Sequence, residues 1–132
     1  MIGEKRFFQR ITVNVPCQFF MIGKQGVCDF GGVISNISED GVGLTVSELA
    51  FLDLIDEKLK VGDQLSFQGV DEYTSFKKEV TQIIEGKLDV LRIEKHPDYY
   101  YLGCEIRHPN VDLERYIMDR KFADFCKKND FK

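Results

Sequence analysis

No apolar run in this chain approaches the ~18 residues that a membrane-spanning helix needs. Glu4, Lys5 and Arg6 occupy the place where a secretory leader would carry apolar residues, so none is expected. The four cysteines, Cys17, Cys28, Cys104 and Cys126, are scattered without a CxxC pair. Both histidines precede proline (His96-Pro97 and His108-Pro109), which favours extended or loop backbone. A zinc site drawn from these residues stays open, but idle thiols fit the spacing better. Free thiols suit a reducing compartment, so a soluble, cytoplasmic protein without membrane insertion is expected. A GxSxG elbow, an HExxH helix and a phosphate loop are all missing, and neither histidine has a local partner for nucleophilic catalysis. Catalysis is therefore not expected, and no catalytic residue is assigned.

An excess of basic charge is missing too. The formal charge is −4, which argues against general binding to nucleic acid or anionic lipid. A single-strand-binding barrel would need a basic groove between its aromatics, and "DYYYLG" has no adjacent lysines or arginines. The charge is nevertheless uneven. Lys5, Arg6 and Arg10 against Glu4 give the first ten residues +2, leaving −6 on the rest of the total of −4. A small basic arm on an acidic body suits a compact anionic ligand better than a long polyanion.

What is present is enough for one folded domain. Hydrophobic residues make up 43% of 132 positions, and eleven are phenylalanine, so a chain of this length can bury a core. No repeat or linker divides it. The reading is a flexible arm over 1–10, a β-barrel over 11–108 and a C-terminal helix over 110–128.

The pattern is mostly strand. "ITVNVPCQF" alternates Ile11, Val13, Val15, Cys17 and Phe19 against a mainly polar face, with Pro16 marking an edge or bulge. "VCDFGGVISNI" follows the turn "GKQG", and its Gly31-Gly32 pair reads as a bulge or corner. "VGLTV" is a short third strand. "SELAFLDLIDEKL" spaces Leu49, Leu52, Ile55 and Leu59 as a short amphipathic helix near 48–59 would. "QLSFQG", "FKKEVTQIIE", "KLDVLRIEKH" and "YYYLGCEIRH" resume the strand pattern, with "EGK" at 85–87 as their tight hairpin signal. The last segment is helical, with Asp112 as candidate N-cap and Val111, Met118, Phe122 and Phe125 on one face. That face is expected to cover one barrel end or a neighbour's surface. Six or seven such strands and a terminal helix predict an all-β antiparallel barrel that closes to remove its edges.

Two stretches carry chemistry. "KRFFQR" places Arg6 and Arg10 four positions apart, which is one face of a helix or strand. "NISEDG" fits a type I turn with Ser38 first and Gly41 fourth, braced by the Asn36 amide. Alone, the second stretch is only a turn.

Together, Arg6-x-x-x-Arg10 and Asn36-x-Ser38-x-x-Gly41 resemble the paired signature of the PilZ domain, a family of small bacterial barrels. "KVGDQLSF" is similar to the family's glycine-aspartate turn and strand, "YYYLGCEI" to its late aromatic-glycine strand, and "LERYIMDRKF" to its C-terminal helix. The stretch 47–60 departs from the family in being longer. The resemblance implies a split or Greek-key barrel that binds the second messenger cyclic di-GMP, with no other cofactor and no metal. It implies a ligand set of Arg6, Arg10, Asn36, Ser38 and Gly41, with Lys5 placed where a neighbouring residue influences ligand stoichiometry.

The chemistry agrees with that set. Arginine's planar fork pairs with a phosphate or with guanine's O6/N7 edge, and stacks on purines. Asn36 stands where the family more often has aspartate, so it accepts hydrogen bonds without the charge that strengthens them. Ordering a flexible arm costs about 1–2 kcal/mol of backbone entropy per residue, which the arginine contacts must exceed. The expected mechanism is ligand-induced folding of the arm onto the barrel, read by a downstream protein partner in motility or biofilm control. The alternative is a PilZ-like adaptor that acts through protein contacts and binds no nucleotide.

Overall fold

The computed structural model describes residues 10–22, 29–47, 59–108 and 110–128. The arm over 1–9, the "GKQG" turn and most of the expected helix near 48–59 lie outside the described residues.

Six antiparallel strands form a closed barrel: β1 (Ile11–Met21), β2 (Asp29–Ile37), β3 (Gly41–Ser47), β4 (Gln64–Ser75), β5 (Lys78–Lys95) and β6 (Tyr99–Arg107). Around the barrel they run β1-β2-β3-β6-β5-β4, and β4 pairs back onto β1. The strand count and closure agree with the sequence pattern. In β1 the alternation is literal: Val13, Val15, Cys17, Phe19 and Met21 are buried and the residues between them face out. With Ile34, Leu44, Leu65, Leu88 and Leu102 they fill the barrel interior. Burial pushes the Cys17 and Cys104 thiols up to about 12. Among the described residues, no three His, Cys, Asp or Glu side chains gather as a metal site would require.

Three local expectations are corrected. Pairing is uninterrupted through Pro16 and Gly31-Gly32, and the extra residue of β1 lies instead between Thr12 and Val15. The hairpin expected at 85–87 does not exist, because β5 runs unbroken from Lys78 to Lys95. Gly86 lies mid-strand opposite Phe67, beneath the packed Phe67 ring and Leu113. The reversal falls at Phe76-Lys77, with φ of 54° and 64°. That is left-handed backbone, as a two-residue hairpin turn demands, but here it is imposed on residues that do not favour it.

The third correction concerns the terminal helix, α1 (Val111–Lys128). Its N-cap is Asn110 rather than Asp112: Asn110 Oδ1 accepts from Leu113 N–H at 2.7 Å, and Asn110 C=O accepts from Glu114 N–H at 3.0 Å. The helix packs on β4 and β5 through Leu113, Tyr116, Ile117 and Ala123. Val111, Met118, Phe122 and Phe125 do share a face, but it is the outward one. A buried polar cluster explains the orientation. Tyr116 donates to Asp71 Oδ2 at 2.7 Å, and Arg120 Nε sits 2.9 Å from the same oxygen as an ion pair not aligned for a hydrogen bond. The Arg120 guanidinium also lies over the Tyr73 ring at 4.8 Å, while Tyr73 donates to Asp119 Oδ2 at 2.5 Å. Burial, then the bond to Asp71, pushes the Tyr116 hydroxyl pKa far upward. Among the described residues no helix is long and apolar enough to cross a membrane.

Candidate functional site

Ile34 and Ile37 are both fully buried, and three positions apart they cannot share a face in a regular strand. The β2–β3 ladder resolves this with one extra residue between Ile34 and Asn36, so that Ile37 turns inward. The Asn36 amide is left at the barrel flank beside the entry of β1. There Arg10 Nη1 donates to Asn36 Oδ1 at 3.0 Å, and Asn36 Nδ2 donates to the Tyr101 hydroxyl at 3.1 Å. The amide therefore bridges an arginine and a phenol and does not brace the following bend. Because the phenol accepts from Asn36, its own proton is left to point elsewhere.

Two glycines make room for this row. Gly41 has no left-handed φ; a Cβ there would overlap the Arg10 guanidinium and come within 3.0 Å of Cys104 C=O. Gly43 lies beside the Tyr101 hydroxyl and the Asn36 amide, and a Cβ there would overlap both. Arg92 of β5 continues the row, with its guanidinium 5.7 Å from the Tyr101 ring centroid. Its Nε pairs with Glu94 at 2.7 Å on the open surface. An extra residue between Val90 and Arg92 sets that position.

The electrostatics of Arg10 set it apart. The residue is half-buried, its partner is a neutral amide, and its Nε is buried without a hydrogen-bond partner. Among the described residues no carboxylate pairs with it. A half-buried cation lacking a counter-charge is costly unless something anionic completes it.

The bend itself is closed by Ser38 N–H donating to Gly41 C=O at 2.9 Å. Ser38 is fully buried, and its hydroxyl donates to Asp40 Oδ1 at 2.5 Å. Asp40 C=O accepts from Ile106 N–H at 3.0 Å, and Glu39 accepts from Lys121 Nζ of α1 at 2.6 Å. The bend is thereby tied to β6 and to the helix.

Of the residues singled out in the sequence, Arg10, Asn36 and Gly41 come together. Ser38 lies in the same bend with its hydroxyl turned to Asp40. Lys5 and Arg6 lie outside the described residues. Tyr101, Arg92 and Gly43 were missed as site residues. "YYYLG" carried a hint, but only pairing with β3 and β5 selects Tyr101 from its neighbours.

Arg10, the bridging amide of Asn36 and the glycine-cleared floor lie together at the flank of a closed six-stranded barrel. The chain belongs to the PilZ domain family, whose model matches residues 4–120. No curated protein matches it in sequence. Among solved structures, it resembles the PilZ domain of YcgR from Escherichia coli, solved with cyclic di-GMP, at 12% identity and a TM-score of 0.69, covering 98% of this chain and all of that one. It resembles the Bacillus subtilis inhibitor of motility MotI at 15% identity and a TM-score of 0.65, covering 96% of this chain and 52% of that one. The K. pneumonia MrkH–cyclic di-GMP complex matches at 15% identity and a TM-score of 0.58, covering 98% of this chain and 56% of that one. The chain thus spans about half the length of two of these three relatives.

Proposed function

We propose that this chain is a receptor for cyclic di-GMP that binds at the barrel flank and passes the event to protein partners. One observation carries the reading: Arg10, a half-buried cation beside a neutral amide, lies on a floor cleared by Gly41 with its Nε unpartnered. Family membership adds to it, and two of the structural relatives hold this ligand.

The ligand offers two anionic phosphates and two guanines. Arg10, together with Arg6 of the arm, supplies planar forks for a phosphate or for the guanine O6/N7 edge, and Lys5 adds charge beside them. Asn36 holds the Arg10 fork in place and Gly41 lets it lie flat. Ser38 stiffens the bend, with its hydroxyl available to a guanine once it leaves Asp40. Tyr101 presents its phenol proton to a guanine acceptor, and Arg92 adds a stacking surface beyond it. Asn36 in place of the commoner aspartate gives Arg10 a neutral partner, so among the described residues no carboxylate competes with a phosphate for it. The arm then settles against the corner, and the Lys121–Glu39 bridge connects that corner to α1, where a partner can read it.

Titration calorimetry with cyclic di-GMP tests the reading. The wild type is expected to release heat and to melt at higher temperature with ligand. Arg6→Ala and Arg10→Ala are expected to abolish both effects while leaving the unliganded melting temperature nearly unchanged. Wild-type affinity in either variant would remove the clamp. No heat with the wild type would favour an adaptor that works through protein contacts alone.

A further inference from the structure

Closure of the barrel between β1 and β4 is short. The two strands pair only from Met21 opposite Leu65 to Cys17 opposite Gly69. Beyond that rung β1 runs on to Ile11 with β2 alone, and β4 runs on to Ser75 with β5 alone. Pro16 is where the ladder stops. It would stand opposite Val70 in the next rung, and its carbonyl oxygen faces β4, within 2.7 Å of where a Gly69 Cβ would lie. A proline has no N–H to give Val70 C=O, so pairing cannot continue. The strands part around a cleft of about 670 Å³, with Asn14 and Pro16 on one wall and Val70 and Glu72 on the other.

The free side of β4 carries unpaired backbone. Gln64 C=O accepts from Ile22 N–H at 3.0 Å, so Gln64 faces the β1 side. β4 pairs with β5 without a break in register, so every second residue after Gln64 faces the same way, including Val70, Glu72 and Thr74. Among the described residues, nothing bonds the N–H and C=O of Glu72 and Thr74. The other edge of this two-stranded ribbon is treated differently. There Ile83 C=O accepts from the Gln82 side chain at 3.2 Å, and Glu85 C=O from the Asn110 side chain at 3.1 Å. The protein covers one edge with its own amides and leaves the other bare, which is a template for strand addition.

The flanking side chains select the occupant. Val70 and Ile83 form a cross-strand apolar pair, 45% and 62% exposed. Glu72, Glu79 and Glu85 are exposed on the same face, and among the described residues none is in an ion pair. Asp71 points the other way and is held by Tyr116 and Arg120. The ribbon's cations stand at its ends, with Lys87 past Glu85, Lys77 in the turn and Lys78 opposite Ser75 on the α1 side. A second copy does not fit this edge. Its outward residues would again be Val70, Glu72 and Thr74, and no register of these brings a cation to Glu72.

We propose that the open edge of β4 takes up an extended segment of a protein partner as an added strand. The segment carries an apolar residue and, two positions on, a lysine or arginine. The apolar side chain lies over Val70 and Ile83, the cation beside Glu72, and the backbone bonds to Glu72 and Thr74.

Fluorescence anisotropy tests the proposal on the full chain without nucleotide, independently of the flank site. The probe is a labelled peptide, Thr-Val-Thr-Lys-Thr-Lys-Thr. Saturable binding is expected, and binding about tenfold weaker is expected for Glu72→Lys. Glu72→Pro removes an N–H that faces the cleft and not β5, so it is expected to stay folded by circular dichroism and to lose the peptide. The same peptide N-methylated along its backbone is expected not to bind. No saturable binding by the wild type overturns the proposal, as does unchanged binding by folded Glu72→Pro or by the N-methylated peptide. Amide hydrogen exchange at Glu72 and Thr74 decides between occupants, and fast exchange in the free protein is expected. Protection in the monomer would assign the edge to another segment of this chain, and protection that grows with concentration to a second copy. Either result overturns the proposal.

Discussion

Two arginine–tyrosine clusters lie on this barrel, and they differ in the group that the arginine meets. At the α1 face, Arg120 and Tyr116 converge on Asp71, and Tyr73 on Asp119. At the opposite cluster, Arg10 and Tyr101 converge on Asn36. The first contains its own carboxylates, so its charge is balanced inside the protein and its work is to hold the helix. The second has a neutral amide where the first has an acid, and among the described residues no carboxylate pairs with its arginine. Similar side chains make an internal clamp in one place and, in the proposed function, a receptor site in the other.

Mutations can break that contrast. Arg120→Ala is expected to have the largest effect on the unliganded fold, about 3–5 kcal/mol, because it leaves the buried Asp71 carboxylate without its cation. Urea denaturation should report the loss, and the folded fraction should retain cyclic di-GMP affinity. Arg10→Ala should do the opposite. If removing Arg120 costs no more than removing Arg10, the two clusters are not distinct in kind.

A smaller effect is expected at Gly41. Gly41→Ala should displace the Arg10 guanidinium and weaken nucleotide binding by about 1–3 kcal/mol, the worth of one bidentate contact. Calorimetry measures this directly, and an unchanged affinity would show that the flat seat of Arg10 is not used.

The smallest effect is on pH dependence. Cys17 and Cys104 hold their protons up to about 12 in the folded chain, against 9.0 for an ordinary thiol. The unfolded chain releases those protons first, so stability is full below pH 9 and falls as the pH rises from 9 towards 12. Tyr73 and Tyr116, also shifted upward, push the same way at the alkaline end. The melting temperature should decline over that window, and Cys104→Ala should flatten part of the decline. A flat profile would mean that water reaches the barrel interior.

Strand identity was legible wherever burial alternates, as in β1, where one face meets the core and the other meets solvent. It failed in β5, whose long outer half is exposed on both sides, so Gly86 looked like a turn and Phe76-Lys77 did not. Arg10, Asn36 and Gly41 were legible because short motifs fix residue type and spacing. Tyr101 was not, since its place beside Asn36 depends on a ladder joining residues 65 positions apart.

From the sequence by itself came the apolar period, the terminal helix and the arginine, amide and glycine of the site, because spacing along the chain determines which residues share a face. Only the tertiary structure decided which face is covered. Asp71, far away on β4, draws Tyr116 and Arg120 inward, and the helix therefore turns its phenylalanines to the solvent. A pattern read along the chain cannot contain that outcome, because the burial of a charge depends on where its counter-charge sits in space.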